Sequence, residues 1–142
     1  MVDYYVLADE DWDISDIQSI ISNNLKLKLS KDVAQKISNN RAYLEKTISS
    51  SSAAIYGINT GFGSLCDIRI SEENLEELQL NLIRSHACGM GDLVPLEVVK
   101  IIFLLKIKNL CLGFSGVRLS LIEKMIEYFN HEIYPVIYTL GS

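Results

Sequence analysis

The chain has 142 residues, with 13 Lys plus Arg and 18 Asp plus Glu, so its formal net charge is −5. Apolar residues make up 49% of the chain, which excludes intrinsic disorder, and the acidic balance argues against nucleic-acid binding, since phosphate contacts need a basic face. The mean hydropathy of +0.19 is on the apolar side for a domain of this size and predicts buried surface that this chain cannot cover alone.

The first half of the chain predicts two helices and one short strand. Residues 14–24 carry a helical stripe of isoleucines, and residues 25–29 alternate apolar and basic side chains, which is the period of a strand. Ser30 is the predicted N-cap of a helix over residues 31–48, which the serines at 49–52 end. The apolar side chains of that helix predicted to point inward are Val33, Ile37, Leu44 and Ile48.

The second half predicts three more helices. Ser71 is expected to cap a helix with Glu72 and Glu73 in its first turn, followed by a break at residues 89–92. The apolar face of that helix comprises Leu75, Leu78, Leu82 and Ile83. Pro95 is expected to open a helix that is apolar on nearly every side, and therefore buried all round, and Gly113 to stop it. A capping box at Ser120 predicts the last helix, before Pro135. The fold class is therefore mainly α, with one or two short strands near the start.

Compartment follows from three features of the sequence. Residues 1–9 lack the basic and apolar regions of a secretory signal. The most apolar stretch, residues 96–112, contains four charged residues, so we expect a buried helix and no membrane partner. The cysteines Cys66, Cys88 and Cys111 are odd in number and lack CxxC spacing. Reduced thiols in the cytoplasm are therefore expected.

Single motifs do not define a reaction. The three glycines within residues 57–63 exclude a regular helix, but Ser64 follows where a P-loop needs lysine, and Cys66 stands where a dinucleotide fingerprint needs glycine. Turn chemistry alone explains these glycines equally well. His86 read alone fits a hydrogen-bonded core residue better than a ligand. No metal site is predicted, because the pair of His86 and Cys88 has no second pair at zinc spacing.

Four blocks taken in order resemble the aromatic amino acid ammonia-lyases, the MIO family, and in particular its histidine ammonia-lyases. The blocks are residues 56–63 (YGINTGFG), 82–91 (LIRSHACGMG), Asn109 with 113–118 (GFSGVR), and 133–137 (IYPVI) leading to Gly141 and Ser142. The match runs along nearly the whole chain from about Leu29. Two departures lie outside the first two blocks: Lys106 stands where the family has arginine, and Tyr138 stands where it has proline.

The resemblance implies the N-terminal portion of a multihelical lyase that assembles as a homotetramer. In the family, Gly-Ser is followed by Val-Gly-Ala-Ser-Gly, and the Ala-Ser-Gly cyclises into the electrophilic group methylideneimidazolone (MIO). The 142 residues contain no Ala-Ser-Gly. We therefore expect residues 1–142 to be an N-terminal domain fragment, with the MIO segment and the long helical core beyond residue 142. The chain alone is expected to be inactive.

The resemblance also assigns roles to residues of this chain. Tyr56 is the expected base, which removes a β-proton while ammonia leaves, in a loop with Gly57, Asn59, Thr60, Gly61 and Phe62. The expected substrate-binding residues are His86, Ser85 and Gly63. Histidine lyases have Ser-His where Ser85 and His86 stand, whereas tyrosine lyases have His-Leu and phenylalanine lyases have Phe-Leu. The implied reaction converts L-histidine into urocanate and ammonia.

Two alternatives stay open from the sequence. The first is another MIO-family lyase or aminomutase with a different aromatic substrate, since only Ser85 and His86 indicate histidine. The second is a non-enzymatic remnant or helical interaction module that binds a partner through its apolar helix, because large exposed apolar patches mark interaction surfaces.

Overall fold

A computed structural model describes residues 3–50, 54–66 and 68–141, apart from the side chains of Leu65 and Glu72. The elements in chain order are β1 (Tyr4–Leu7), α1 (Ile14–Ser22), β2 (Lys26–Leu29), α2 (Lys31–Ser50), a 3₁₀ turn (Gly63–Leu65), α3 (Glu72–His86), β3 (Met90–Leu93), α4 (Leu96–Cys111), α5 (Leu119–Asn130) and β4 (Tyr138–Leu140). The prediction of a mainly α fold is confirmed. The chain divides into two compact units, residues 1–46 with 94–137, and residues 47–93 with 138–142.

The first unit begins with a strand, helix and strand. β1 and β2 pair in parallel, with Leu7 opposite Leu29, which confirms the strand predicted at residues 25–29. α1 connects them and starts at a capping box. Asp13 accepts hydrogen bonds from the backbone of Ser15 (2.7 Å) and Asp16 (3.1 Å), and Asp16 accepts one from the Asp13 backbone (2.9 Å). Hydrogen bonds from Ser15 hold the pKa of Asp13 below its usual value.

Helices α2, α4 and α5 complete the core of the first unit. The Ser30 hydroxyl accepts a hydrogen bond from the Val33 amide (3.2 Å), which confirms the predicted cap. Buried apolar side chains from both strands and all four helices of this unit form one cluster: Leu7, Ile20, Leu27, Val33, Ile37, Leu104, Ile107, Leu110, Cys111, Ile122, Ile126 and Phe129. The other two side chains that were predicted to point inward on α2, Leu44 and Ile48, are half-buried. Ser51 and Ser52 lie outside the described residues.

α4 was expected to be buried on all sides, but the described part of the chain leaves several of its apolar side chains exposed. Its large apolar side chains that are at least two-fifths exposed are Leu96, Val98, Ile102 and Leu105. The helix starts at Leu96, one residue after Pro95, whose ψ of 139° is not helical. Its end is as predicted, since Gly113 has φ +74°, the left-handed conformation of a C′ glycine.

α5 begins earlier than its predicted capping box. Arg118 is the N-cap, so Ser120 lies inside the first turn, and the capping box predicted there is wrong. The helix still buries the face expected from its spacing, with Ile122, Ile126 and Phe129 in the core, while Leu121 is 46% exposed. The amphipathic spacing therefore located the helix correctly and the local cap pattern did not.

The second unit contains α3 and a two-stranded ribbon, β3 with β4, that was not predicted. Ser71 occupies the N-cap position of α3, but among the described residues its side chain makes no capping hydrogen bond. Leu75, Leu78 and Leu82 are half-buried as expected, whereas Ile83 is 66% exposed. β3 and β4 pair antiparallel at residues expected to be irregular. The two short strands expected near the start are β1 and β2, and this second pair of strands was not predicted because residues 90–93 gain their partner far along the chain.

Asn130 gives a test of the first unit. Its side-chain amide bonds to both backbone groups of Leu27 on β2, as a neighbouring strand would. It accepts a hydrogen bond from the Leu27 amide (2.7 Å) and donates one to the Leu27 carbonyl (2.9 Å). We expect Asn130→Ala to lower the free energy of unfolding by on the order of 2 kcal/mol, because it leaves two part-buried backbone groups without a partner. Urea unfolding measures this. An Asn130→Ala variant as stable as the wild type would contradict this role of the Asn130 amide.

Candidate active site

The loop that carries Tyr56 is a tight turn held by its own backbone. The Ile55 carbonyl accepts hydrogen bonds from the amides of Ile58 (3.0 Å) and Asn59 (3.2 Å). Tyr56 projects from this turn with 65% of its surface exposed, and its ring meets the edge of the Phe62 ring at a centroid distance of 6.2 Å. Gly57 has φ +75°, which allows the chain to reverse directly after Tyr56. The turn therefore presents the phenol outward.

Asn59 and Thr60 hold the loop from within. Both are buried, at 4% and 1% exposure. The Asn59 side-chain oxygen accepts from the Ile55 amide (2.6 Å), and the Asn59 carbonyl accepts from the Ile70 amide (2.9 Å). The Thr60 hydroxyl donates to the Gly61 carbonyl (3.0 Å). These two predicted site residues thus support the shape of the turn that presents Tyr56.

The loop ends in a short bridge and a 3₁₀ turn. The amide of Gly61, which is buried, donates to the Ile68 carbonyl (3.0 Å), and Thr60 forms an isolated antiparallel bridge with Arg69. Gly63, which is exposed, starts the 3₁₀ turn, and its carbonyl accepts from the Cys66 amide (3.2 Å). Predicted loop residues 59–61 are consequently tied to residues 68–70.

His86 is the last residue of α3, and its ring is oriented by that helix. Its Nδ1 lies 2.9 Å from the Leu82 carbonyl oxygen and 3.0 Å from the Ser85 hydroxyl, which itself donates to Leu82 (2.9 Å). Because a carbonyl can only accept, this geometry assigns the proton of the neutral ring to Nδ1. Nε2 is then the hydrogen-bond acceptor. The side chain of His86 is exposed.

A sharp turn follows His86 and leads into β3. The Cys88 amide donates to the His86 carbonyl (2.9 Å), and Ala87 has φ −79° and ψ 62°, the values of an inverse γ-turn. β3 begins two residues later and pairs with β4, with Met90 opposite Leu140 and Leu93 opposite Tyr138. The segment after His86 is therefore anchored by residues near position 140.

All predicted site residues lie in the second unit. The structure brings Tyr56 together with Phe62, and Ser85 with His86; no hydrogen bond or ring contact joins the two pairs among the described residues. The β3–β4 ribbon that anchors the His86 turn was not predicted from the sequence. The aromatic and β-branched residues Tyr138 and Thr139 were the available signal.

Two further findings concern ions and membranes. No cluster of three or more His, Cys, Asp or Glu side chains within the described ranges is placed to share a metal ion. Over the same part of the chain, no helix combines the length and the apolarity needed to cross a membrane.

Comparison with known proteins connects this geometry to a family. The family model for aromatic amino acid lyases matches residues 12–142. Histidine ammonia-lyase from Legionella pneumophila (strain Corby) is 42% identical over 142 residues, which are 100% of this chain and 28% of that protein. The chain thus spans little more than a quarter of the length of this curated relative.

Solved structures give the same result for the fold. Phenylalanine aminomutase from Pantoea agglomerans superposes with a TM-score of 0.87 at 26% identity, over 99% of this chain and 27% of that one. Histidine ammonia-lyase from Trypanosoma cruzi gives a TM-score of 0.74 at 30% identity, over 89% of this chain and 24% of that one. On the extent of the family match and these similarities, the chain belongs to the aromatic amino acid lyase family.

Proposed function

We propose that this chain is the N-terminal part of a cytoplasmic, homotetrameric histidine ammonia-lyase, which converts L-histidine into urocanate and ammonia. The observation that carries the substrate is the exposed imidazole of His86, oriented through Nδ1 by Leu82 and Ser85. The identity of 42% to a histidine ammonia-lyase over the whole chain supports the same reading.

His86 suits an imidazole substrate because its tautomer is set by the helix. With the Nδ1 proton donated to Leu82, Nε2 is an acceptor. The ring of neutral L-histidine offers one N–H donor, which Nε2 can accept. Neither a phenylalanine ring nor a leucine at position 86 could form this hydrogen bond. Ser85 acts as a positioning residue, since its hydroxyl contacts both the Leu82 carbonyl and the His86 ring.

Tyr56 is the proposed base. In the elimination, its phenolate oxygen takes the β-proton, the C–H electron pair forms the new C=C bond, and the C–N bond breaks as ammonia leaves. A phenol ionises near pH 10, so the phenolate must be favoured by donors or positive charge close to its oxygen. The 65% exposure of Tyr56 leaves its hydroxyl accessible to such groups in an assembled enzyme. The role of Asn59 and Thr60 is to hold the turn that presents it.

The electrophile is proposed to come from the MIO group formed beyond residue 142. When present, that group makes the substrate amine a leaving group. The 142 residues hold no Ala-Ser-Gly, so they cannot form the group themselves. What they offer is the exposed Tyr56 and His86, in the same compact unit as the strand β4.

The alternative is another lyase or aminomutase of the family with a different aromatic amino acid. The superposition with a phenylalanine aminomutase supports this alternative, because the same fold occurs in an enzyme named for a different aromatic amino acid. His86 argues for histidine, and a comparison of substrates decides between the two.

The test begins with the coding DNA after codon 142 and continues with the protein it encodes. We expect Val-Gly-Ala-Ser-Gly to follow directly, and the encoded protein, called the parent enzyme below, to release urocanate from L-histidine, followed by its ultraviolet absorbance. L-tyrosine and L-phenylalanine are the control substrates. A different continuation, or a preference for either control substrate, would overturn the assignment to histidine ammonia-lyase.

A further inference from the structure

Gly141 leaves β4 in a conformation and a place that only glycine fits. Its φ is +95°, outside the range that L side chains adopt without strain. A Cβ added there would collide with the Cys88 carbonyl oxygen, and would lie 2.9 Å from the Cys88 carbonyl carbon and 3.1 Å from the Gly89 Cα. All three atoms are backbone, so no side-chain rotation could relieve the contact. Gly141 therefore lies directly against the turn that follows His86.

A second close contact joins the same two segments. A Cβ added to Gly89 would lie 2.5 Å from Cδ2 of Tyr138 and 3.2 Å from its Cγ. The Tyr138 ring thus covers Gly89, and Gly141 abuts Cys88 and Gly89, so both contacts hold the start of β3.

These contacts lie between the two segments that the proposed reaction requires. The Cys88 amide closes the turn that starts at His86, and the Cys88 carbonyl lies against Gly141. The segment proposed to form the electrophile follows directly after Ser142, the next residue. Backbone packed against backbone leaves little freedom in the distance between them. A shift at Gly141 would displace both the His86 turn and the path of the following chain.

We propose that Gly141 and Gly89 are positioning residues, which use the backbone of the His86 turn as the template for the segment that forms the electrophile. This inference rests on the proposed function and deepens it. It places the electrophile-forming segment and the group that recognises the substrate ring on one rigid contact. The active site would then be set by a single ribbon, β3 with β4, and not by two independent loops.

The first experiment is Gly141→Ala in the parent enzyme, with intact-protein mass as the readout. Cyclisation of Ala-Ser-Gly releases one water on ring closure and a second from the serine side chain, so the prosthetic group registers as the loss of two waters. We expect the fraction of protein that has lost two waters to fall several-fold. In the molecules that still form the group, KM for L-histidine should rise, because the His86 turn is displaced.

Gly113→Ala is the matched control. Gly113 also has a left-handed φ, +74°, but a Cβ added there would meet only atoms of the flexible Lys36 side chain, at 3.0–3.5 Å. Gly113 and Lys36 both belong to the first unit, whereas the ribbon belongs to the second. Both variants therefore carry the same kind of backbone strain, and only Gly141→Ala disturbs the ribbon. Comparable two-water loss and KM in the two variants would overturn the inference. A wild-type parent enzyme that loses no water and forms no urocanate would instead overturn the proposed function.

A rescue experiment keeps the inference falsifiable if Gly141→Ala does not fold. Gly89 has no left-handed φ, and the three atoms nearest to its added Cβ all belong to Tyr138. We expect Gly89→Ala to reduce the fraction of protein with two waters lost, and Tyr138→Ala in the same chain to restore it. Failure of the second substitution to restore group formation would show that contact between the ring and Gly89 does not set the ribbon.

Discussion

Tyr56→Phe in the parent enzyme is expected to lower kcat for ammonia release from L-histidine by roughly 10²–10⁴-fold, the usual contribution of a positioned general base. The substitution removes only the hydroxyl. It keeps the ring that meets Phe62 edge-on, so the turn from Ile55 to Asn59 should retain its shape. KM should change little, because the proton is transferred in the transition state and the substrate ring is bound elsewhere.

The control for this prediction is Tyr4→Phe. Tyr4 is also a largely exposed tyrosine, at 54%, but lies in the first unit, on β1. It should leave kcat unchanged. The two-water mass loss should be normal in both variants, which separates a missing base from a missing electrophile. A Tyr56→Phe enzyme with kcat within a few-fold of the wild type would exclude Tyr56 as the base.

Local signals predicted the elements whose ends are fixed by neighbouring residues. Ser30 caps α2 through the Val33 amide, and Gly113 ends α4 in the left-handed conformation; both contacts span a few residues and are visible in the sequence. The alternating residues 25–29 likewise gave β2. The fold class followed from such signals because helices dominate and are locally encoded.

The ribbon could not be predicted in this way. Gly89 and Gly91 punctuate residues 89–92 and indicate a break, and the strand forms there only because β4 supplies a partner from residues 138–140. The uncovered face of α4 has a related cause. Val98 and Ile102 are apolar, but the described residues leave them exposed, which agrees with the apolar mean hydropathy. Sequence patterns report which side chains favour burial and not which segment buries them.

For the candidate site, too, the sequence predicted which residues are involved but not how they are arranged. Family resemblance pointed to Tyr56, Ser85 and His86, while their geometry came only from the structure. Asn59 was expected among the active-site loop residues, and the structure shows its side-chain oxygen accepting from the Ile55 amide. The tautomer of His86 depends on the Leu82 carbonyl, one helical turn earlier, which is a property of the folded helix end.

His86→Leu is expected to change the substrate preference of the parent enzyme. The variant removes the Nε2 acceptor and leaves the N–H of the bound imidazole without a partner, which costs on the order of 1–3 kcal/mol. That corresponds to a loss of about 10- to 100-fold in kcat/KM for L-histidine. L-Tyrosine and L-phenylalanine gain an apolar contact with leucine, so their kcat/KM should be unchanged or higher. The measurement is kcat/KM for all three amino acids.

His131→Leu is the control, because the chain repeats the same arrangement at the end of α5. His131 Nδ1 lies 2.8 Å from the Glu127 carbonyl, as His86 Nδ1 lies 2.9 Å from that of Leu82, and both rings are exposed. The two substitutions thus remove the same helix-end hydrogen bond and differ in the unit that loses it. His131→Leu should leave the ratio of histidine to tyrosine activity as in the wild type. Equal losses on both substrates in His86→Leu would mean that His86 shapes the end of α3 without binding the substrate ring, and specificity would then have to come from other residues.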